Sequence, residues 1–282
     1  MLKLLACIDL SQYAPSVCDH AAWAATRLNG SVELLHILQR KDSMTARHDL
    51  SGALGLGAKS SLMEELVHIE EVEAKLAKEH GRVLLRASEE RLRNAGVKNV
   101  TALHRHGGIV ETIIEREADA DLVVIGKRGA SANFAKRHLG SKVERVVRQS
   151  VKPVLIANRA FKPIDRALIA FDGGQSSRKA ISFVATSPLF EGVEVHFVLV
   201  GADNDKHRDA IRWAGEVLGD RSKRAEIISG DVDGALRAAA ARCNADILVM
   251  GAYGHSPLRS MIVGSTTTAM IRGLALPVLL FR

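Results

Sequence analysis

The sequence predicts an α/β protein made of two tandem five-stranded, parallel-sheet, doubly wound domains. Three observations predict it. Short apolar runs alternate with helix-like stretches along the chain. The runs are near-continuously apolar rather than alternating, as in strands covered on both faces. Most of the pattern occurs twice, and 282 residues leave room for two units at roughly 100–200 residues each.

The elements follow in order. Leu4-Leu5-Ala6-Cys7-Ile8 ends at Asp9, with a small polar turn and an Ala-rich helix behind it. The same order returns at Ala167-Leu168-Ile169-Ala170-Phe171, ended by Asp172. Val32–Leu38 then matches Val193–Leu199. Helix-like Ile109–Ala118 leads into Ala120-Asp121-Leu122-Val123-Val124-Ile125-Gly126, and Gly234–Arg242 leads into Ala245-Asp246-Ile247-Leu248-Val249-Met250-Gly251. Each half closes on a Pro-led run, Pro153–Ala157 and Pro277–Phe281. Proline is tolerated there because a strand's first N–H is dispensable.

The boundary is expected within Asn158–Pro163, giving domains 1–160 and 161–282. The two Asp residues are 163 positions apart and the two glycines 125, so the first half holds 38 extra residues. They fall within Lys41–Ala95. Ser51–Ser61, rich in Gly and Ser, reads as a flexible loop or lid, and Leu62 to about Asn94 as a long helix that Gly81 would kink. The second half has only a short helix there, about Asp205–Leu218.

Composition sets the outer limits. With 47% hydrophobic and 25% charged residues, the chain has enough apolar material to fold. No apolar run reaches the roughly 18–20 residues of a membrane span. The apolar start meets Asp9 too early for a signal segment, so a cytoplasmic protein is expected. Three scattered cysteines are neither a disulfide framework nor a CxxC site. The net charge of +7 divides into 24 basic against 19 acidic residues in 1–160, and 15 against 13 in 161–282. The basic residues are spread along both halves with no reading motif, and aromatics are 4%, so no nucleic acid partner is expected.

In doubly wound sheets ligands bind beyond the carboxyl ends of the strands, where strand order reverses. Asp9, Asp172, Gly126 and Gly251 are all expected at those ends. The loop after Gly251 carries the chemistry: Gly251, two residues, Gly254, nine residues, then Gly264-Ser265, with a helix beginning there. Glycines let backbone N–H groups approach oxygens closely. A helix start favours an anion through its free amides and dipole. Ser265 and Thr266 add hydroxyls, and His255 and Arg259 further donors. Each glycine read alone is only a turn, and the serine only a helix cap. Together they suit a polyphosphate.

These residues resemble the universal stress protein family in its tandem form. The family's pattern, Gly-x2-Gly-x9-Gly-Ser/Thr, stands at Gly251, Gly254, Gly264 and Ser265, and its strand-ending Asp at Asp9 and Asp172. The resemblance covers nearly the whole chain except Lys41–Ala95. It implies a Rossmann-like, adenine nucleotide alpha hydrolase-like fold and an ATP-type ligand, with Mg2+ as a companion ion. It also implies a stress-response sensor or regulator, as a homodimer or as a pseudo-dimer of tandem domains. Carried over, Asp172 faces ribose or adenine, the Val198 backbone contacts adenine, and Gly251 lies near ribose. Gly254, His255, Gly264, Ser265 and Thr266 hold phosphates.

The first half departs from the pattern. Gly126-Lys127-Arg128-Gly129 is followed by ten residues, not nine, before Gly140-Ser141. Asp9, Ile37, Gly126, Gly129, Gly140 and Ser141 therefore form a degenerate candidate site. Two other functions remain open. One is slow ATP hydrolysis or phosphotransfer in the second loop, with His255 the only base beside the phosphates and no P-loop lysine motif. The other is metal or small-ligand binding in the first half, where His104 and His106 share one side of a strand with His36 nearby.

Overall fold

A computed structural model of the chain describes residues 1–39, 56–129, 141–252 and 265–282, with backbone alone for 56–63 and 265–266. Ten strands form one sheet in the order β3-β2-β1-β4-β5-β10-β9-β6-β7-β8. The first five are β1 (Lys3–Ile8), β2 (Ser31–Leu38), β3 (Val100–His106), β4 (Leu122–Gly126) and β5 (Val154–Ala157). The second five are β6 (Arg166–Ala170), β7 (Glu194–Val200), β8 (Ser222–Ile228), β9 (Ile247–Gly251) and β10 (Val278–Phe281). Pairing is parallel inside each set of five. The sets meet where β10 runs antiparallel to β5, Leu279 opposite Leu155. Each set has the order 3-2-1-4-5, so the halves relate as two copies about a pseudo-two-fold axis at that seam. The parallel, doubly wound class expected from the sequence is the one found.

Helices cover both faces. In chain order they are α1 (Ala14–Leu28), α2 (Leu56–Asn94), α3 (Ile109–Glu117), α4 (Ser141–Gln149), α5 (Gln175–Thr186), α6 (Asp205–Leu218), α7 (Val232–Arg242) and α8 (Ser265–Gly273). Alternate strand residues feed two cores. Leu4, Ala6, Leu34, Val124, Ile169, Val195 and Val249 point to the side of α1, α2, α5 and α6. Leu5, Leu35, Val123, Leu168, Leu248 and Leu280 point to the side of α3, α4, α7 and α8. Among the described residues no helix is long and apolar enough to cross a membrane.

The repeated residues have local reasons. Asp121 accepts the Lys3 N–H at 2.8 Å, and Asp246 accepts those of Asp165 and Arg166 at 3.1 and 2.9 Å. Each therefore caps the otherwise orphaned start of the strand beside it. The carbonyls of Pro153 and Pro277 accept from Val123 and Leu248, so each proline contributes its acceptor where its missing donor does no harm.

The insertion differs from expectation at two points. The helix begins at Leu56, inside the expected loop or lid, whose residues 51–55 lie outside the described residues. Gly81 has a packing reason where the sequence suggested a kink. A Cβ there would stand 2.6 Å from His104 Cε1 and 2.7 Å from His36 Cδ2, so glycine lets α2 lie directly on two strand histidines.

Candidate functional site

Strand order reverses between β1 and β4 and again between β6 and β9. A crevice therefore opens at the carboxyl edge of each half. In the second half, Asp172 lies just beyond β6. Its Oδ1 accepts from the Gly174 N–H at 2.9 Å and from the Ser177 hydroxyl at 2.5 Å. Gly173 turns the chain at φ +75°. This carboxylate holds the first turn of α5, so the helix-capping role is realised, and Asp172 also remains exposed at the crevice.

Gly251 ends β9 on the other side. A Cβ there would lie 3.0 Å from both Ser176 Cβ and Ser177 N. The glycine thus lets the first turn of α5 close onto the strand end. Asp172, α5 and Gly251 form one packed unit through Ser177. In the first half, Asp9 Oδ1 accepts from the Ser11 N–H at 3.0 Å, and a Cβ on Gly126 would sit 2.8 Å from Tyr13 Cβ. Strand-end glycine against first-helix start is therefore a shared device of both halves.

The stems of the second loop are tied together. Ala252 N–H donates to the Phe281 carbonyl at 2.7 Å, and the buried Thr267 hydroxyl donates to the Ala252 carbonyl at 3.2 Å. Thr267 thereby fixes the start of α8 to the end of β9, a role sequence reasoning missed. Ser265 and Thr266 open α8. Gly254, His255 and Gly264 lie outside the described residues, as does Gly140 of the first half.

The expected end of the second strand at Val198 needs a correction. The residue does not end its strand: β7 continues to Val200, and Val198 is buried with its carbonyl accepting from Phe171 N–H at 2.8 Å. Register shows the slip. Leu35 pairs with Cys7, two residues before Asp9, and Val198 pairs with Ala170, two before Asp172. Val200, not Val198, is therefore the counterpart of Ile37, and it ends the strand half-exposed.

The first loop is spent differently. Lys127 Nζ donates to the Leu274 carbonyl at 2.7 Å, and Asn158 Nδ2 to the Ala275 carbonyl at 2.6 Å. Both cross the seam to the segment leading into β10. A Cβ on Gly129 would fall 2.9 Å from Asp9 Oδ2, so the loop lies close over that carboxylate. Ser141 opens α4. Burial, with Arg128 and Arg237 nearby, pulls the Lys127 ammonium down to about 8 from 10.5. Between those values the unfolded chain holds a proton that the folded chain has released, so stability rises with pH across that window. Urea midpoints should climb between pH 7.5 and 10, and Lys127→Met should flatten that rise.

His36, His104 and His106 do share one face. The rings of His36 and His104 are 5.1 Å apart and those of His104 and His106 6.2 Å. His36 Nδ1 lies 3.0 Å from the Ile8 carbonyl, and burial beneath α2, then His36, His106 and Lys78, lower the His104 pKa. Among the described residues no three His, Cys, Asp or Glu side chains are placed to hold a metal ion. The imidazoles of His36 and His104 are packing partners of Gly81.

Comparison with known proteins follows the same lines. The model of the Universal stress protein family matches residues 1–158 and 201–282. Universal stress protein Slr1230 of Synechocystis sp. is 33% identical over 287 residues, covering 100% of both chains. The crystal structure of a universal stress protein from Archaeoglobus fulgidus superposes with a TM-score of 0.67 at 24% identity, covering 99% of this chain and 98% of that one. A putative universal stress protein from Pseudomonas aeruginosa gives 0.66 at 17% identity, covering 99% and 92%. Repeat, register, crevice and relatives agree, and the chain belongs to the universal stress protein family.

Proposed function

We propose that the protein binds an adenine nucleotide of the ATP type in the second-half crevice and acts as a cytoplasmic stress-response sensor or regulator. One observation carries the reading: Gly251 and Asp172 are locked together across the crevice by the first turn of α5, while Thr267 ties the loop's two stems beneath the N-terminus of α8. That arrangement presents backbone amides and a helix start to an anion, which suits phosphate better than a neutral ligand. Asp172 and the Val200 strand end border the nucleoside side. Gly254, His255, Gly264, Ser265 and Thr266 supply the phosphate side by the spacing of the motif. With no protein metal cluster among the described residues, Mg2+ would ride on the phosphates and water, as this ion commonly does.

The functional units are residues 1–160 and 161–282. The antiparallel β5–β10 seam supports their working as a pseudo-dimer within one chain. The first half serves mainly to hold that seam, because Lys127, the first cation of its loop, is committed to Leu274.

Mass spectrometry of the natively purified protein should reveal an adenine nucleotide. Calorimetry should show binding that Gly254→Val removes, with circular dichroism unchanged. Binding that survives this substitution would sink the assignment. Phosphate release in single-turnover assays at saturating protein would move the reading from sensor to slow hydrolase.

A further inference from the structure

The turn that carries Asp172 is held from α6 as well as from its own helix. Trp213 on α6 stacks on Phe171, the residue before Asp172, with ring centroids 5.9 Å apart and planes 19° apart. The Arg178 guanidinium lies over Trp213, its carbon 4.2 Å from the ring centre. Arg178 Nε in turn donates to the carbonyl of Gly173, the residue after Asp172, at 3.0 Å. One indole backs both neighbours of the carboxylate, Phe171 directly and Gly173 through the guanidinium. Ala210, one turn before Trp213 on α6, lies against the same place: a Cβ on Gly173 would stand 3.6 Å from its Cβ.

A ring contact and a backbone bond from one side chain call for arginine. Its plane stacks on an aromatic face while Nε–H donates at the plane's edge. Lysine carries charge but no donor at that edge. The fold of the repeat does not require the arrangement. Counted from the two strand-ending Asp residues, the first half has Ile8 at the Phe171 position and Pro15 at the Arg178 position. The half with the altered glycine spacing lacks both the aromatic and the guanidinium, and the half that keeps the spacing has both.

We infer that Arg178 is a positioning residue of the second-half crevice: stacked on Trp213, it fixes the Gly173 carbonyl and so the direction of Asp172 toward the nucleoside side of the ligand. The inference rests on the nucleotide reading given above. Trp213 is then a reporter of occupancy, because a ligand against Asp172 shifts the turn and with it the cation over the indole.

The test uses the full chain with Trp23→Phe, which leaves Trp213 as its single tryptophan. Calorimetry with ATP and Mg2+ gives the affinity, and Trp213 emission is followed over the same concentrations. An emission change with the calorimetric midpoint is expected. Arg178→Met should weaken ATP binding about tenfold and abolish the emission change. Arg178→Lys, which keeps the charge without the Nε donor, should lose most of that affinity too. Trp213→Phe keeps a ring for the guanidinium and should bind within about twofold of the parent, while Trp213→Ala loses as much as Arg178→Met. Leu218→Ala, buried at the far end of α6, should lower the melting temperature and leave ATP affinity unchanged. Full ATP affinity in Arg178→Met, an equal loss in Leu218→Ala, or a Trp213 emission indifferent to ATP that calorimetry shows to be bound overturns the inference and leaves the nucleotide reading intact. A parent chain that takes up no ATP removes that reading, and this inference with it.

Discussion

Gly251→Val should abolish nucleotide binding, at least a hundredfold loss by calorimetry, while Gly126→Val keeps it. The first β-carbon at position 251 already stands 3.0 Å from Ser176 Cβ and Ser177 N, and valine adds two methyl groups. The neighbour is backbone in the first turn of a helix, so it cannot rotate away. The turn must move, and it takes with it the Ser177 hydroxyl and the Gly174 amide that orient Asp172. Both walls of the crevice therefore shift together. A hundredfold loss is about 2.7 kcal/mol, within what a displaced phosphate-binding backbone accounts for. Gly126 meets Tyr13 Cβ at 2.8 Å, a clash of the same kind, so both variants should lose about 1–3 kcal/mol of stability from overpacking. Stability then falls in both and binding in one. Equal loss of binding in the two variants would remove the second half's claim to the ligand.

What the sequence makes legible is whatever it repeats or whatever a local rule governs. The two αβ cycles, the Asp after each first strand and the glycine at each fourth strand's end all stand in the chain twice, and each has a short-range role in capping or close approach. The strand end was placed at Val198 rather than Val200 for a definite reason. Inside Val195-His196-Phe197-Val198-Leu199-Val200 nothing local marks the last hydrogen-bonded residue, and only pairing with Ala170 counts the positions. Thr267 reads as one more hydroxyl in a Thr run until its partner, 15 residues earlier, is known. Lys127 reads as one of several loop cations, because Leu274 lies 147 residues away. Gly81 reads as a helix weakness because the two histidines it accommodates sit on β2 and β3. Long-range partners decide all four, and a linear pattern does not record them.

Arg116→Ala should cost about 3 kcal/mol of stability. Glu33 on β2 is 7% exposed. Arg116 from α3 grips both its oxygens, Nε to Oε1 at 2.9 Å and Nη2 to Oε2 at 2.8 Å, and Lys3 Nζ adds a contact at 2.8 Å. Burial pushes the Glu33 carboxyl up, and the hydrogen bonds and charges of Arg116 and Lys3 outweigh it, leaving the pKa below its usual 4.5. Removing one partner of a buried pair costs about 3–5 kcal/mol because the other charge stays behind. Lys3 and the 21% exposure of the Arg116 side chain keep the loss near the lower figure. The sign with pH is fixed. In the parent, the pair's contribution is complete above the unfolded carboxyl's pKa and fades as pH falls through the lowered one. In the variant, burial is less opposed and the Glu33 carboxyl takes up a proton at higher pH than in the parent. The gap between the two urea midpoints should therefore shrink on going from pH 7 to pH 4. Glu33→Gln with Arg116→Met should recover most of the loss, because neither buried charge is then left without its partner. The second-half counterpart differs: the position opposite Leu168, equivalent to that of Glu33 opposite Leu5, holds His196, which contacts Glu194 at 2.6 Å in place of an arginine fork. The same strand position thus holds a carboxylate clamped by an arginine in the first half and a histidine paired along its own strand in the second.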